Sequence, residues 1–160
     1  MKTLVIYYSR TGITKKIGQA IASKIQADTE EIIDLKDRQG AWEYLKAGRD
    51  AMKRIPADIA ETKKDPAQYD LVVVGTPVWA GNMACAIRTY IGRNKDRIKK
   101  LALFCTLGGS GDQNTFNEME SLSGQTAAAK LTVKAREAGK PESDARLDEF
   151  AKQLLPQTNH

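Results

Sequence analysis

The chain is poor in the residues that build metal centres and disulfide frameworks. It has two cysteines, Cys85 and Cys105, without Cys-x-x-Cys spacing, and a single histidine, His160. A structural zinc site needs a spaced set of cysteine and histidine ligands, and a disulfide framework needs paired cysteines. We therefore expect no metal site, and we interpret both cysteines as small buried side chains.

Long apolar runs are also missing. No apolar stretch reaches the roughly 18 to 20 residues that a membrane-spanning helix requires, and residues 1–12 lack the apolar core and cleavage site of a secretory signal. We expect a cytoplasmic protein with no membrane partner. The 160 residues are 41% hydrophobic, with no shift of composition along the chain, which predicts a single domain over residues 1–160.

Positive charge is in excess, but it is not concentrated. The formal net charge is +5, yet the lysines and arginines form neither a basic tail nor a ladder interleaved with aromatic residues, which make up only 6% of the chain. Such ladders are typical of proteins that bind single-stranded nucleic acids. We therefore expect a solvated positive surface and no nucleic-acid partner.

What the sequence does contain is an alternation of short apolar runs and helical patterns. Continuous apolar runs that end in Gly- or Ser-rich loops are typical of parallel strands buried on both faces. We predict strands at residues 2–8, 29–34, 70–75, 101–106 and 130–134, and helices at 14–25, 83–92, 115–122 and 143–154. The alternation predicts an α/β fold with a doubly wound sheet.

One segment departs from this rhythm. Residues 37–56 predict an additional helix that begins after the turn at residues 38–40 and ends before Pro56. Its residues Ala41, Leu45, Gly48 and Met52 are spaced to lie near one face.

Three unusual loops follow predicted strands, at residues 9–14, 76–82 and 106–112. In a doubly wound sheet, the loops that leave the carboxyl ends of the strands meet at one edge, and ligands bind there. We therefore expect these three loops to converge on a ligand site.

The first loop, SRTGIT, leads directly into a predicted helix. Unpaired amides at a helix N-terminus bind anions, and the hydroxyls of Ser9, Thr11 and Thr14 can add donors. The loop lacks the Gly-x-x-x-x-Gly-Lys-[Ser/Thr] spacing of a nucleoside-triphosphate site, so a phosphate monoester fits it better. The alternative is an ordinary helix start capped by Thr11 or Thr14.

The second and third loops supply an aromatic ring and an open backbone. Trp79 follows Pro77 on a rigid turn, where an indole can stack on a flat heteroaromatic ring; the alternative is that it packs on the following helix. Residues 108–111 include three glycines, which expose main-chain donors or form no more than a flexible turn. Together with the first loop, these features predict a mononucleotide with a flat, polar ring system.

The three loops resemble those of the flavodoxin family. SRTGIT resembles its phosphate loop, and VVVGTPVWAGN and CTLGGSGD resemble its two ring-flanking loops. The resemblance implies a three-layer sandwich with a five-stranded parallel sheet of order 2-1-3-4-5, and tightly held, non-covalent FMN. It places the phosphate at Ser9, Arg10, Thr11, Gly12, Ile13 and Thr14, one ring face at Trp79, the ring's N5 side along Pro77, Val78, Ala80, Gly81 and Asn82, and its pyrimidine side along Thr106, Gly108, Gly109 and Asp112.

Two departures from the carrier flavodoxins stand out. Carriers usually place a tyrosine soon after the third loop, on the outer ring face, where this chain offers only Phe116. Carriers are also typically acidic, whereas this chain is basic. One charge about 10 Å from the ring, at an effective dielectric near 40, changes a one-electron potential by about 35 mV. The loss of carboxylates is therefore expected to raise the potential of the step from half-reduced to fully reduced flavin.

The resemblance implies a low-potential electron carrier between redox enzymes, and the absence of any acid, base or nucleophile constellation in the sequence is consistent with this role. Its partners would be redox proteins, and the chain would be a monomer or homodimer. An alternative is an NAD(P)H-dependent FMN reductase acting on quinones or similar acceptors, with an open outer ring face and a basic helix. A second alternative is a nucleotide-binding regulatory module without redox activity. The basic residues of the additional helix predicted over residues 37–56 are Lys46, Arg49, Lys53 and Arg54.

Overall fold

The computed structural model describes residues 1–157, which form a sheet flanked by helices; His160 lies outside the described residues. The strands are β1 (Thr3–Tyr7), β2 (Asp28–Glu31), β3 (Leu71–Trp79), β4 (Asn82–Met83), β5 (Leu101–Leu107) and β6 (Lys130–Lys134). The helices are α1 (Ile13–Ile25), α2 (Ala41–Met52), α3 (Cys85–Asn94), α4 (Asp112–Ser123) and α5 (Pro141–Leu154). Each predicted strand and helix is present, with ends shifted by a few residues.

The sheet has the order β2-β1-β3-β5-β6, with all neighbouring pairs parallel. Counted without the short β4, this is the expected order 2-1-3-4-5, so the doubly wound α/β prediction is confirmed. The short strand β4 was not predicted from the sequence; it pairs antiparallel with the end of β3, with Trp79 opposite Asn82. β3 and β4 form a hairpin that projects from the carboxyl edge of the sheet.

The central strands are buried on both faces. Along β3, the side chains of Val72 and Val74 pack on one side of the sheet and that of Val73 on the other, so residues 1–157 form two hydrophobic clusters. Within β3, Gly75 leaves room for the ring of Phe104 on the neighbouring strand β5, because a Cβ at Gly75 would lie 1.9 Å from that ring. Within residues 1–157, no helix is both long and apolar enough to cross a lipid bilayer.

Helix α1 starts directly at the edge of the sheet. Ile17 and Ile21 bury its apolar stripe, and Gly18 lets it lie against the ring of Tyr7, since a Cβ there would be 2.5 Å from that ring. The helix begins after Gly12, whose φ of +94° suits a glycine. The N-terminus of α1 is thereby fixed beside the end of β1.

Helix α2 packs differently from its sequence pattern. Its buried residues are Ala47, Asp50 and Ala51, whereas Leu45 and Met52, on the apolar face noted in the sequence, are 65% and 62% exposed. The small alanines allow the helix backbone to approach the sheet closely. The carboxylate of Asp50 can be buried because it forms an ion pair. The larger apolar side chains consequently face outward.

The partner of Asp50 is Arg38, a residue that sequence analysis placed in a turn. Its side chain is only 4% exposed, and it donates to Asp34 at 2.7 Å and to Asp50 at 3.1 Å. Burial raises the pKa of Asp50, but its bonds to Arg38 and Lys36 outweigh this effect and hold the pKa below its usual value. A buried ion-pair cluster therefore ties α2 to the segment after β2.

Candidate functional site

A cleft of about 220 Å³ opens at the carboxyl edge of the sheet. It brings together parts of all three loops that sequence analysis expected to converge, together with one residue of α2 and one that follows β6. The lining residues are Arg10, Thr11, Ile13, Thr14, Tyr44, Pro77, Val78, Trp79, Thr106, Leu107, Gly108 and Ala135. The cleft is the candidate functional site.

The first loop presents free amides to the cleft. The amide of Gly12 donates to Ser9 Oγ at 3.0 Å, which closes the turn, and the first bond of α1 runs from Lys16 N to Gly12 O. The amides of Ile13, Thr14 and Lys15 therefore have no acceptor within the helix. Gly12 is the residue before the helix and no side chain caps it, so the alternative of a cap by Thr11 or Thr14 is wrong.

The hydroxyl of Thr14 serves a different purpose. It lies 2.7 Å from the hydroxyl of Thr106, at the end of β5, and either can be the donor. Both residues are buried and both line the cleft. This bond joins the first loop to the third across the floor of the site.

The second loop is the β3–β4 hairpin. Its two turn residues, Ala80 and Gly81, have φ values of +50° and +75°, the pattern of a type I′ turn. The hydroxyl of Thr76 accepts from the amide of Ala84 at 2.9 Å, and the Asn82 side chain donates to Ala80 O at 2.8 Å. Hydrogen bonds within residues 76–84 thus stabilise the hairpin.

The third loop contacts this hairpin directly. Gly111 has a φ of +107°, and a Cβ there would lie 2.7 Å from Gly81 Cα. The side chain of Asn114, in the first turn of α4, donates to Gly81 O at 2.7 Å. Neither Gly111 nor Asn114 was proposed from the sequence, although the glycine cluster around residue 111 was a signal of close approach.

Trp79 forms an inner wall of the cleft and is buried among aromatic and cationic neighbours. Its ring meets that of Tyr8 edge to face, with centroids 5.4 Å apart, and the Arg38 guanidinium lies 5.7 Å from its centroid. Burial raises the pKa of Tyr8 to about 12, so its hydroxyl stays protonated at neutral pH. The indole is therefore firmly positioned by its neighbours.

Several residues proposed from the sequence lie beside the cleft rather than in its lining. Ser9 closes the first turn, and Ala80, Gly81 and Asn82 form the tip of the hairpin. Gly109 follows the lining residue Gly108. Asp112 begins α4 and accepts from the Thr132 hydroxyl at 3.0 Å. These residues, together with Gly12, belong to the three loops but lie outside the lining of the cleft.

Tyr44 is a lining residue that was not predicted from the sequence. This residue of α2 lines the cleft, and the Arg10 guanidinium lies 4.5 Å from its ring centroid. The segment before α2 also holds the first loop, because Gln39 donates to Arg10 O at 2.5 Å. The only sequence signal was an aromatic residue on an additional helix, and its proximity depends on how α2 packs.

Phe116, the candidate for the outer ring face, does not reach the cleft. It is a buried residue of α4 and belongs to the hydrophobic core. Tyr44 supplies an aromatic side chain to the site instead. Among the described residues, the site therefore has two aromatic walls: Trp79, from the second loop as the resemblance implied, and Tyr44, from α2 rather than from the segment after the third loop.

The charge of the cleft is positive. Among the described residues that line it, Arg10 carries the one charged side chain and none is a carboxylate. The basic residues on and after α2 are partly neutralised, since Lys46 pairs with Glu43 and Arg54 with Glu118. Arg10 and the N-terminus of α1 both contribute positive potential at the site.

Known proteins of this fold are similar over nearly the whole chain. A flavoprotein from Lactobacillus acidophilus NCFM, solved in complex with FMN, gives a TM-score of 0.75 at 24% identity and covers 94% of this chain and 98% of that one. Oxidised flavodoxin 2 from Bacillus cereus gives a TM-score of 0.62 at 17% identity and covers 96% and 97%. At these identities, the similarity establishes the fold.

A curated relative matches this chain over only part of its own length. The protein named NAD(P)H dehydrogenase (quinone) from Chromohalobacter salexigens is 27% identical over 110 residues, which cover 68% of this chain and 55% of that relative. This chain therefore spans little more than half of the relative that it matches. The family model described as Flavodoxin, however, matches residues 2–134. By this match over most of its length, the chain belongs to the flavodoxin family.

Proposed function

We propose that this protein binds FMN in the cleft and carries electrons between redox enzymes. The observation that supports the proposal most is the convergence of the amide-rich first loop and the two aromatic walls on one cleft. When FMN is bound, its ring system supplies the electron-transfer chemistry. The contribution of this chain is to bind, orient and electrostatically tune the cofactor.

The first loop fits the phosphate end of FMN. The free amides at the N-terminus of α1, the helix dipole and the guanidinium of Arg10 all favour an anion. A Cβ at Gly12 would meet no atom within 4 Å, so the loop leaves open space for a phosphate group. A monoester needs no terminal-phosphate lysine, and this loop has none.

The rest of the cleft fits a flat ring. Trp79 and Tyr44 offer aromatic surface, and a Cβ at Gly108 or Gly109 would meet no atom within 4 Å. A ring edge can therefore approach the backbone of the third loop and accept or donate hydrogen bonds there. The described residues of the lining include no side chain with the acid–base character of a hydrolytic site.

The experiment is to add FMN to the purified protein, desalt it and record its visible spectrum. Retained flavin absorbance supports the proposal, and a colourless protein overturns it in favour of a regulatory module that binds another phosphate ligand. Stepwise anaerobic reduction then tests the carrier role. A carrier accumulates half-reduced flavin, and direct passage to the fully reduced form contradicts that role.

A second candidate is an NAD(P)H-dependent reductase of quinones. Two observations favour it: the relative named as a quinone dehydrogenase, and the positive lining of the cleft without carboxylates among the described residues. A cationic site stabilises the anionic reduced flavin and so raises the reduction potential of the bound flavin. A raised potential suits a low-potential electron carrier less well. Steady-state consumption of NAD(P)H with a quinone acceptor supports this candidate, and no turnover above free FMN eliminates it.

A further inference from the structure

A second concave surface adjoins the cofactor cleft. It is a groove of about 360 Å³ between the outward face of α2 and the β3–β4 hairpin. Tyr44 and Trp79 line both the groove and the cleft. The groove and the cofactor site are therefore neighbours that share two aromatic side chains.

The floor of the groove is a glycine in the middle of a helix. Gly48 lies opposite Ala80, and a Cβ at position 48 would be 3.9 Å from the Ala80 Cβ. That is ordinary contact, so an alanine would fit and would favour the helix. Packing of α2 on the hairpin therefore does not require glycine, whose effect is to leave the floor open.

The walls of the groove suit a flat apolar ring. Leu45 and Met52 line it and are largely exposed, and methionine sulfur makes favourable contacts with aromatic rings. Binding grooves combine such apolar walls with a few polar groups that orient the ligand. The described residues that line the groove likewise combine apolar side chains with a polar group.

The polar group on the lining is a cation. Arg49 is 57% exposed, and its guanidinium lies 3.6 Å from the carboxylate of Asp50, which is already bonded to Arg38. No carboxylate is among the described lining residues. Charge complementarity therefore selects a ligand with an anionic group, and it disfavours a twofold contact with a second copy, which would bring Arg49 near its own counterpart.

We propose that this groove binds a flat, apolar aromatic molecule that carries an anionic group, of the class of the anionic naphthoquinones. The ring system lies over Gly48 between Leu45 and Met52, and its anion faces Arg49. The quinone class rests on the second candidate function above. The groove itself does not depend on that function.

The experiment titrates the FMN-treated protein with 2-naphthalenesulfonate, a redox-inert analogue of such a ring, and follows the methionine methyl signals by NMR. The chain has four methionines; Met83 and Met119 are buried, and Met1 is exposed and serves as an internal control. We expect a saturable shift of the Met52 methyl with a Kd of about 1 mM or below. The Met1 methyl is expected not to shift.

Two variants and a matched control sharpen the test. Gly48→Leu fills the groove with a better helix former and is expected to weaken binding at least tenfold while the protein stays folded. Arg49→Gln is expected to weaken binding of 2-naphthalenesulfonate about threefold and to leave binding of neutral 2-naphthol unchanged. Lys53→Gln, one turn away and outside the lining, is the control for lost charge.

Absence of a Met52 shift up to about 10 mM ligand, or undiminished binding by Gly48→Leu, overturns the proposal. These outcomes are separate from the fate of the proposed function. Flavin retention is read from the visible spectrum of the same sample, and the Met52 signal reports the groove whether or not FMN is retained.

Discussion

Ala80 holds a backbone conformation that its side chain disfavours. Its φ is +50°, at the first turn position of the β3–β4 hairpin, where asparagine before glycine is the preferred pair. We expect Ala80→Asn to stabilise the flavin-free protein by about 0.5–1 kcal/mol. The measurement is the urea midpoint of unfolding.

The matched control for this change is Ala145→Asn, at an exposed position of α5. There the backbone is helical, so the same substitution is expected to lower stability by about 0.5 kcal/mol. Opposite signs at the two positions would confirm that the hairpin conformation is the cause. Equal effects would show that the turn carries no strain.

Tyr44 is the residue whose role in the site is easiest to isolate. It lines the cleft, whereas Trp42 on the same helix is exposed and outside the lining. We expect Tyr44→Leu to weaken FMN binding about tenfold through loss of aromatic contact, and Tyr44→Phe to retain most of the affinity. Fluorescence titration of the flavin-free protein measures both, and Trp42→Leu is the control that should bind as the parent does.

At the scale of elements, the contact between the hairpin and the third loop can be tested through Gly111. A Cβ there would be 2.7 Å from Gly81 Cα, and the φ of +107° disfavours any side chain. We expect Gly111→Ala to cost about 2 kcal/mol or more and to weaken FMN binding by displacing the hairpin. Chemical denaturation and FMN titration report the two effects.

Gly92→Ala is the counterpart in α3. A Cβ at Gly92 would meet no atom within 4 Å, so the substitution should stabilise the helix by about 0.5–1 kcal/mol. A harmless Gly111→Ala would contradict the close contact between the two loops. A harmful Gly92→Ala would indicate that glycine loss itself is damaging.

The ion-pair cluster gives α2 a dependence on pH. The pKa of Asp50 is lowered in the folded state, so its contribution to stability is fully present above its ordinary value of 3.8 and is lost as the pH falls through the lower, folded-state pKa. We expect Asp50→Asn to cost about 2 kcal/mol at neutral pH and to flatten the decline of unfolding free energy below pH 4. Urea unfolding across pH measures this slope.

Asp148→Asn is the control for the loss of a carboxylate. Asp148 is exposed and pairs with Lys24 on the surface, where solvent screens the interaction. Its removal should leave both the stability and the acid slope nearly unchanged. An unchanged slope in Asp50→Asn would contradict the assignment of the pH dependence to the cluster.

The elements differ in how well the sequence predicts them. The strands β1, β3 and β5 carry continuous apolar runs, because both of their faces are covered, and such runs are visible without knowledge of the fold. The face of α2 was misjudged, because Asp50 is buried by a partner, Arg38, that no periodic pattern could reveal. The hairpin was missed because Ala80-Gly81 lacks the usual asparagine of its turn type.

At the scale of the whole molecule, three loops far apart in sequence could be assigned to one edge because topology alone places them there. Most of the proposed residues line the cleft or border it. Tyr44 could not be assigned, since its position depends on how close α2 approaches the sheet. A sequence therefore predicts a site built at strand ends better than one completed by an additional helix.

The two cysteines report on the integrity of the whole fold. Both are fully buried, and burial raises the pKa of Cys105 to about 12, so neither thiol is exposed or readily ionised near pH 8. We expect negligible labelling of the native protein by a water-soluble thiol reagent, and complete labelling in denaturant. Rapid labelling under native conditions would show that the core opens locally around β5 or α3.

The threonine pair at the floor of the cleft has one further consequence. Thr14 and Thr106 hold two hydroxyl protons between them, and their 2.7 Å bond uses one. Only one proton at a time is left to point elsewhere, from whichever threonine accepts within the pair. A ligand oxygen that accepts a hydrogen bond from the Thr14 hydroxyl therefore makes Thr106 the donor within the threonine pair. The first and third loops thus share a proton arrangement whose direction the ligand decides, without any movement of the backbone.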